Sequence, residues 1–105
     1  MFGNFGEMAS LLGKVKDIQK NIKQMKEDLP GLEFSASSLS GKVTATVSGD
    51  FRLRRLEFAP AAGNDAAAVS SDITEAVNLA LDNAKAAVQE KMKEAAGGIN
   101  LPGLF

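Results

Sequence analysis

The residues able to act on a partner in this chain are cationic, and they come in groups. Between positions 14 and 26 stand Lys14, Lys16, Lys20, Lys23 and Lys26 against a single acid, Asp17. Arg52, Arg54 and Arg55 form a second group, and Lys91 with Lys93 a third, flanked by Glu90 and Glu94. Such side chains offer full positive charge and hydrogen-bond donors to an anion. A plainer reading stands beside it. Lysines on a helix commonly form a solvated face, and the arginines can be tied in salt bridges with Glu33 or Glu57 across a sheet.

Other chemistries fall away by composition. The chain has no cysteine and no histidine. Disulfides, thiol catalysis, cysteine metal sites, serine–histidine triads and imidazole bases are therefore excluded, and no cofactor is expected. The acids Asp72 and Glu75 read as residues near a helix start rather than a catalytic pair, so no enzyme is expected. Net charge is −1, which on its own disfavours a basic binder, but it is unevenly spread: residues 61–105 carry three lysines against six acids. Local potential rather than net charge decides what a surface attracts. The start, Met-Phe-Gly-Asn, lacks a basic region leading into an apolar one, so no secretory leader is expected there. No apolar run approaches the roughly 20 residues of a bilayer span, and a soluble cytoplasmic protein without a membrane partner is expected.

The elements that must carry these groups are legible from periodicity. Residues 4–29 read as a helix, with Asn4 and Glu7 spaced as a capping box. Met8, Leu11, Val15, Ile18, Ile22, Met25 and Leu29 repeat at 3, 4, 3, 4, 3, 4, the period of a coiled-coil seam. Leu12 widens it, Pro30-Gly31 stops it, and the five lysines lie off it. The stripe packs either on another helix of the same chain or in part on a second subunit.

Residues 32–59 alternate as strands do. Leu32, Phe34 and Ala36, then Val43, Ala45 and Val47, then Phe51 and Leu53 are apolar, with turn residues at Ser40-Gly41 and Ser48-Gly49-Asp50. This predicts a three-stranded antiparallel meander. In the third strand the apolar parity flips from Phe51 and Leu53 to Leu56 and Phe58, which a bulge near Arg54-Arg55 would produce. Pro60 ends the strand and residues 61–64 are a loop.

Residues 65–96 predict a long alanine-rich helix with the apolar line Val69, Ile73, Val77, Ala80, Ala84, Val88, Met92 and Ala95, ended by Gly97-Gly98. The reading is one domain over 1–98 of class α+β, ordered α-β-β-β-α, with 99–105 an aperiodic, mobile tail. A helix of this length, about 48 Å, outruns a seven-residue strand of about 23 Å. The helices can pair as an arm beyond the sheet. A three-stranded sheet also leaves edges that a second copy can cover, so a two-armed homodimer is expected.

The stretch Ser48-Gly-Asp-Phe-Arg-Leu-Arg-Arg-Leu-Glu-Phe-Ala-Pro60 resembles the third-strand region of the YbaB/EbfC family, whose pattern is matched at Gly49, Arg54, Arg55, Leu56, Glu57, Phe58 and Pro60. Ser48 and Ala59 stand where the family usually has Asn and Asp. The Met-Phe-Gly start, Ala76-Val-Asn-Leu-Ala80, Glu90-Lys-Met92 and the Gly-Gly then Leu-Pro-Gly tail are similar to the family too, so the resemblance runs in order along nearly the whole chain. It implies a tweezer-like homodimer, bacterial and nucleoid-associated, that binds double-stranded DNA with little sequence preference and has no known catalytic activity.

Under that resemblance the lysines gain a role. Lys16, Lys20 and Lys23 are spaced 4 and 3 and share a helix face, Lys26 continues the row and Lys14 lies to one side. Such a row can track phosphates, and a dimer doubles it. Arg52, Arg54, Arg55, Lys91 and Lys93 are further candidates. Gln19, Asn21 and Gln24 can reach base edges, but no recognised groove-reading motif is present. The competing class is a dimeric structural or adaptor protein whose helical arms bind another protein.

Overall fold

The computed structural model describes residues 3–97. Its elements run α1 (Gly3–Asp28), a 3-10 turn (Leu29–Gly31), β1 (Glu33–Ser37), β2 (Val43–Ser48), β3 (Leu53–Phe58), a second 3-10 turn (Pro60–Ala62) and α2 (Ala66–Ala95). The order is the expected α-β-β-β-α. The tail at 99–105, expected to be mobile, lies outside the described residues.

α1 already contains Asn4, so that residue is not the cap the spacing suggested; a cap needs non-helical backbone. The helix ends at Asp28, because Pro30 supplies no N–H to continue it, and the chain tightens into 3-10 geometry. α2 does have a side-chain cap: Asp65 Oδ1 accepts from the backbone N–H of Ala67 at 3.1 Å and of Ala68 at 3.4 Å. At its other end Gly97 takes φ +69 and donates to the Glu94 carbonyl at 3.0 Å, a left-handed close that glycine adopts freely.

The chain divides into two compact units. The first comprises Asp28–Val88 and contains the sheet, ordered β1-β2-β3 and antiparallel throughout. Val43, Ala45 and Val47 of β2 form a closed core with Ala76, Ala80 and Ala84 of α2, joined by half-buried Phe34, Ala36, Leu56, Ile73, Val77 and Leu81. Alanines four apart let the helix backbone lie close to the sheet. For that reason the deepest α2 residues in this unit are Ala76, Ala80 and Ala84, and the expected Val77 is only half-buried. The opposite sheet face is polar. Ser35 and Thr46 share a hydrogen bond of 2.7 Å, as do Ser37 and Thr44.

The parity flip in β3 is a bulge. Thr46 pairs with Arg55 and Val47 with Leu53, leaving Arg54 as the extra residue. Directly paired residues project to one side, so Leu53, Leu56 and Phe58 all join the face of Val47, Ala45 and Val43. Phe51, expected in this strand, instead closes the β2–β3 turn at φ +64, with its N–H on the Ser48 carbonyl at 2.9 Å. A type I turn followed by a left-handed residue suits such a hairpin. Gly49 in the same turn donates to the carbonyls of Leu29 and Leu32, each at 3.0 Å, and a Cβ there would lie 2.7 Å from the Leu29 oxygen. That approach requires glycine.

The second unit comprises the α1 residues up to Glu27 and the chain from Gln89 onward. Met25, Met92 and Ala96 are buried in it, and Ile18, Ile22 and Ala95 half-buried. Ala96 rather than the expected Ala95 is the deeper of that pair.

Candidate nucleic-acid interface

The five lysines of α1 lie within one unit and all are exposed. Their positions follow from helical spacing. Lys16, Lys20 and Lys23 project from one flank of the buried stripe, Lys26 continues at its edge, and Lys14 stands on the other flank. Lys23 and Lys26, with Gln19 and Glu27, rim an open depression over Ile22. Among the described residues no ion pair involves any of these lysines. Their charge is therefore uncompensated at contact range.

The three arginines sit in the other unit and differ from one another. Arg55 reaches across the polar sheet face to Glu33, Nη1 to Oε2 at 3.0 Å, and its Nε lies 3.5 Å from Oε1 of Glu57. The hydrogen bond that Arg55 donates to Glu33, and the Glu33 charge, with Glu57 behind, raise the Arg55 pKa above its ordinary value. This is the cross-sheet pairing weighed in the sequence. Arg54, extruded by the bulge, donates from Nη2 to the Pro30 carbonyl at 3.0 Å. Arg52 shows no side-chain hydrogen bond or ion pair among the described residues, although its charge, with that of Arg54, acts on Asp50. The Ser48 hydroxyl donates to Asp50 and is the main reason that carboxyl sits below its ordinary range.

Lys91 and Lys93 stand two apart on α2, on opposite flanks of buried Met92, so they do not extend one row. Lys93 is exposed and Lys91 half-buried. Among the described residues, no group of three or more acids is placed to hold a metal ion, and no helix is long and apolar enough to cross a membrane.

What sequence reading did not separate is the state of the stripe beside the lysines. Met8, Leu11, Leu12 and Val15 are 59%, 59%, 61% and 47% exposed. The seam period continues through them unchanged, and a period carries no information about what covers it.

The sequence pattern of the YbaB/EbfC DNA-binding family matches residues 4–99. A nucleoid-associated protein of Synechococcus sp. (strain RCC307) is 36% identical, over 96% of this chain and 92% of its own length. One of Synechococcus elongatus (strain ATCC 33912 / PCC 7942 / FACHB-805) is 35% identical, over 97% and 91%. One of Anaeromyxobacter sp. (strain Fw109-5) is 36% identical, over 90% and 93%.

Proposed function

Because the chain belongs to the YbaB/EbfC DNA-binding family, we propose that it is a nucleoid-associated protein of the cytoplasm that binds double-stranded DNA as a homodimer, mostly through phosphates. The observation that carries this reading is the exposed, unpaired row Lys16, Lys20, Lys23 and Lys26 on one flank of α1. A row of point charges suits the sugar–phosphate backbone, which carries no base identity, so sequence preference is low. Lys14, on the other flank of α1, and Arg52, in the sheet unit, are further cations without an ion pair among the described residues. Arg54, Arg55, Lys91 and Lys93 contribute less, being anchored, paired or flanked by acids.

Dimerisation has its own support. β3 is an edge strand, and its core-side residues Leu53 and Phe58 stay half-exposed, as does Leu79 of α2. An apolar face at an open edge is what a second copy covers. Sedimentation at micromolar concentration then gives about twice the chain mass of 11.0 kDa.

The test is a duplex-DNA titration at several salt concentrations. With two or three phosphates neutralised per subunit, log K falls against log salt with a slope of about −3.5 to −5.5. Unrelated duplex sequences bind alike. Absence of salt-dependent duplex binding returns the protein to the adaptor class.

A further inference from the structure

Two residues of the β2–β3 hairpin, Gly49 and Arg54, converge on one short segment of the sheet unit. α1 ends at Asp28, and the chain continues through the turn Leu29-Pro30-Gly31 toward β1. This turn has few means of holding itself. Leu, Pro and Gly bring it no polar side chain, and Pro30 has no N–H. One hydrogen bond closes it from within, Leu32 N–H to the Leu29 carbonyl at 3.1 Å. The rest of the hold comes from the hairpin. The Gly49 N–H is shared between the carbonyls of Leu29 and Leu32, each at 3.0 Å. Arg54 Nη2 donates to the Pro30 carbonyl at 3.0 Å.

Arg54 can do this because of the bulge. β1 and β3 lie on opposite sides of β2, so a β3 side chain reaches the approach to β1 only by crossing β2. Arg55, in ladder register with Thr46, crosses to the Glu33 side chain. Arg54 is the residue left without a ladder partner, and a bulge re-aims such a side chain. Its long stem and forked head bring a donor to a backbone carbonyl. That carbonyl has no net charge to neutralise, so the contact fixes backbone.

We propose that Arg54 is a positioning residue. It clamps the Leu29–Gly31 turn from which α1 departs, and it serves DNA binding by holding the base of the helix that bears the lysine row, not by touching phosphate. This role rests on the DNA-binding reading proposed above. A turn that opens part of the time lowers the fraction of chains competent to bind, and apparent affinity falls with that fraction.

The two roles leave different marks on Arg54→Ala. Loss of a phosphate contact in each subunit of a dimer makes the slope of log K against log salt shallower by about two. Loss of the clamp weakens duplex binding about threefold or more with the slope unchanged. A shallower slope overturns the proposal, and so does unchanged affinity. Gly31→Ala supplies a rescue. A Cβ added at Gly31 meets nothing within 4 Å, and alanine narrows the backbone freedom of the turn. Arg54→Ala/Gly31→Ala therefore regains affinity that a missing phosphate contact could not return. A second arm needs no DNA. Arg54 is exposed, so its truncation spares the core, and the amides of Ala45 and Val47 keep their protection from hydrogen exchange. Those of Leu32 and Gly49 exchange about tenfold or more faster in Arg54→Ala. Unchanged exchange at Leu32 and Gly49 overturns the clamp whatever DNA does. Absence of salt-dependent duplex binding in the unaltered chain instead removes the DNA reading, and the role in binding with it, while faster exchange still identifies the clamp.

Discussion

In the sheet unit no residue of β2 is exposed, whereas in the helix unit the stripe of α1 is closed at Met25 and open from Met8 to Val15. Both segments carry a clean apolar period. What differs is the supply of cover. β2 has strands on both sides, Ala76, Ala80 and Ala84 on one face, and a hydroxyl ladder on the other. α1 has the short end of α2. The contrast teaches that periodicity fixes which side of an element wants burial, while the lengths of neighbouring elements decide how much of that side is buried. It also separates the candidate cations. Those on α1 are free, and those on the sheet are largely engaged.

Substitutions can break this comparison, beginning with the most damaging. Val47→Asp puts an unpartnered carboxylate into a fully buried position and costs several kcal/mol; chemical denaturation should show an unfolded or barely folded chain. Gly49→Ala drives a Cβ toward the Leu29 carbonyl and costs about 1–3 kcal/mol, read as a lowered denaturation midpoint. The third test compares the two ends of the stripe: Ile22→Ala should cost about 1–3 kcal/mol and Val15→Ala under about 1, because less area is withdrawn from water at Val15. Equal costs would mean that the whole stripe is covered to one depth. Lys20→Ala with Lys23→Ala should change stability by no more than about 0.5 kcal/mol. In a dimer that binds DNA through these lysines it should make the salt slope shallower by up to about four, on all sequences alike. An unchanged slope would move the contact to Arg52 and its neighbours. The mildest change is at Asp50. Its carboxyl titrates lower folded than unfolded, so its contribution to stability is present above the ordinary carboxylate range and lost as pH falls through the depressed pKa. NMR titration should find that pKa moving back up in Ser48→Ala.

The order of elements was readable because each has a period and a stop of its own. Pro30 and Pro60 ended what they were expected to end, and the switch from Leu53 to Leu56 announced the bulge. Phe51 alternates with Leu53 as a strand residue would, yet the backbone there bends through a left-handed turn. The expected line runs through Val77 where Ala76 is the deeper residue, because close approach of a helix to a sheet selects small residues. On the candidate site, the lysine row needed only helical spacing. The fate of Arg54 and Arg55 needed the cross-strand register, which places Arg55 against Thr46 beside Glu33 and Glu57 and turns Arg54 toward Pro30. No local pattern contains that register.

The meander has a kinetic consequence. Its strands pair in the order in which they occur, each joined to the next by a turn of a few residues, so pairing closes short loops at small entropic cost. The helix that seals Val43, Ala45 and Val47 comes later along the chain, at Ala76, Ala80 and Ala84. During synthesis the sheet can therefore assemble while its apolar side is still waiting for those alanines, and this interval is when a nascent chain is most prone to stick to its neighbours.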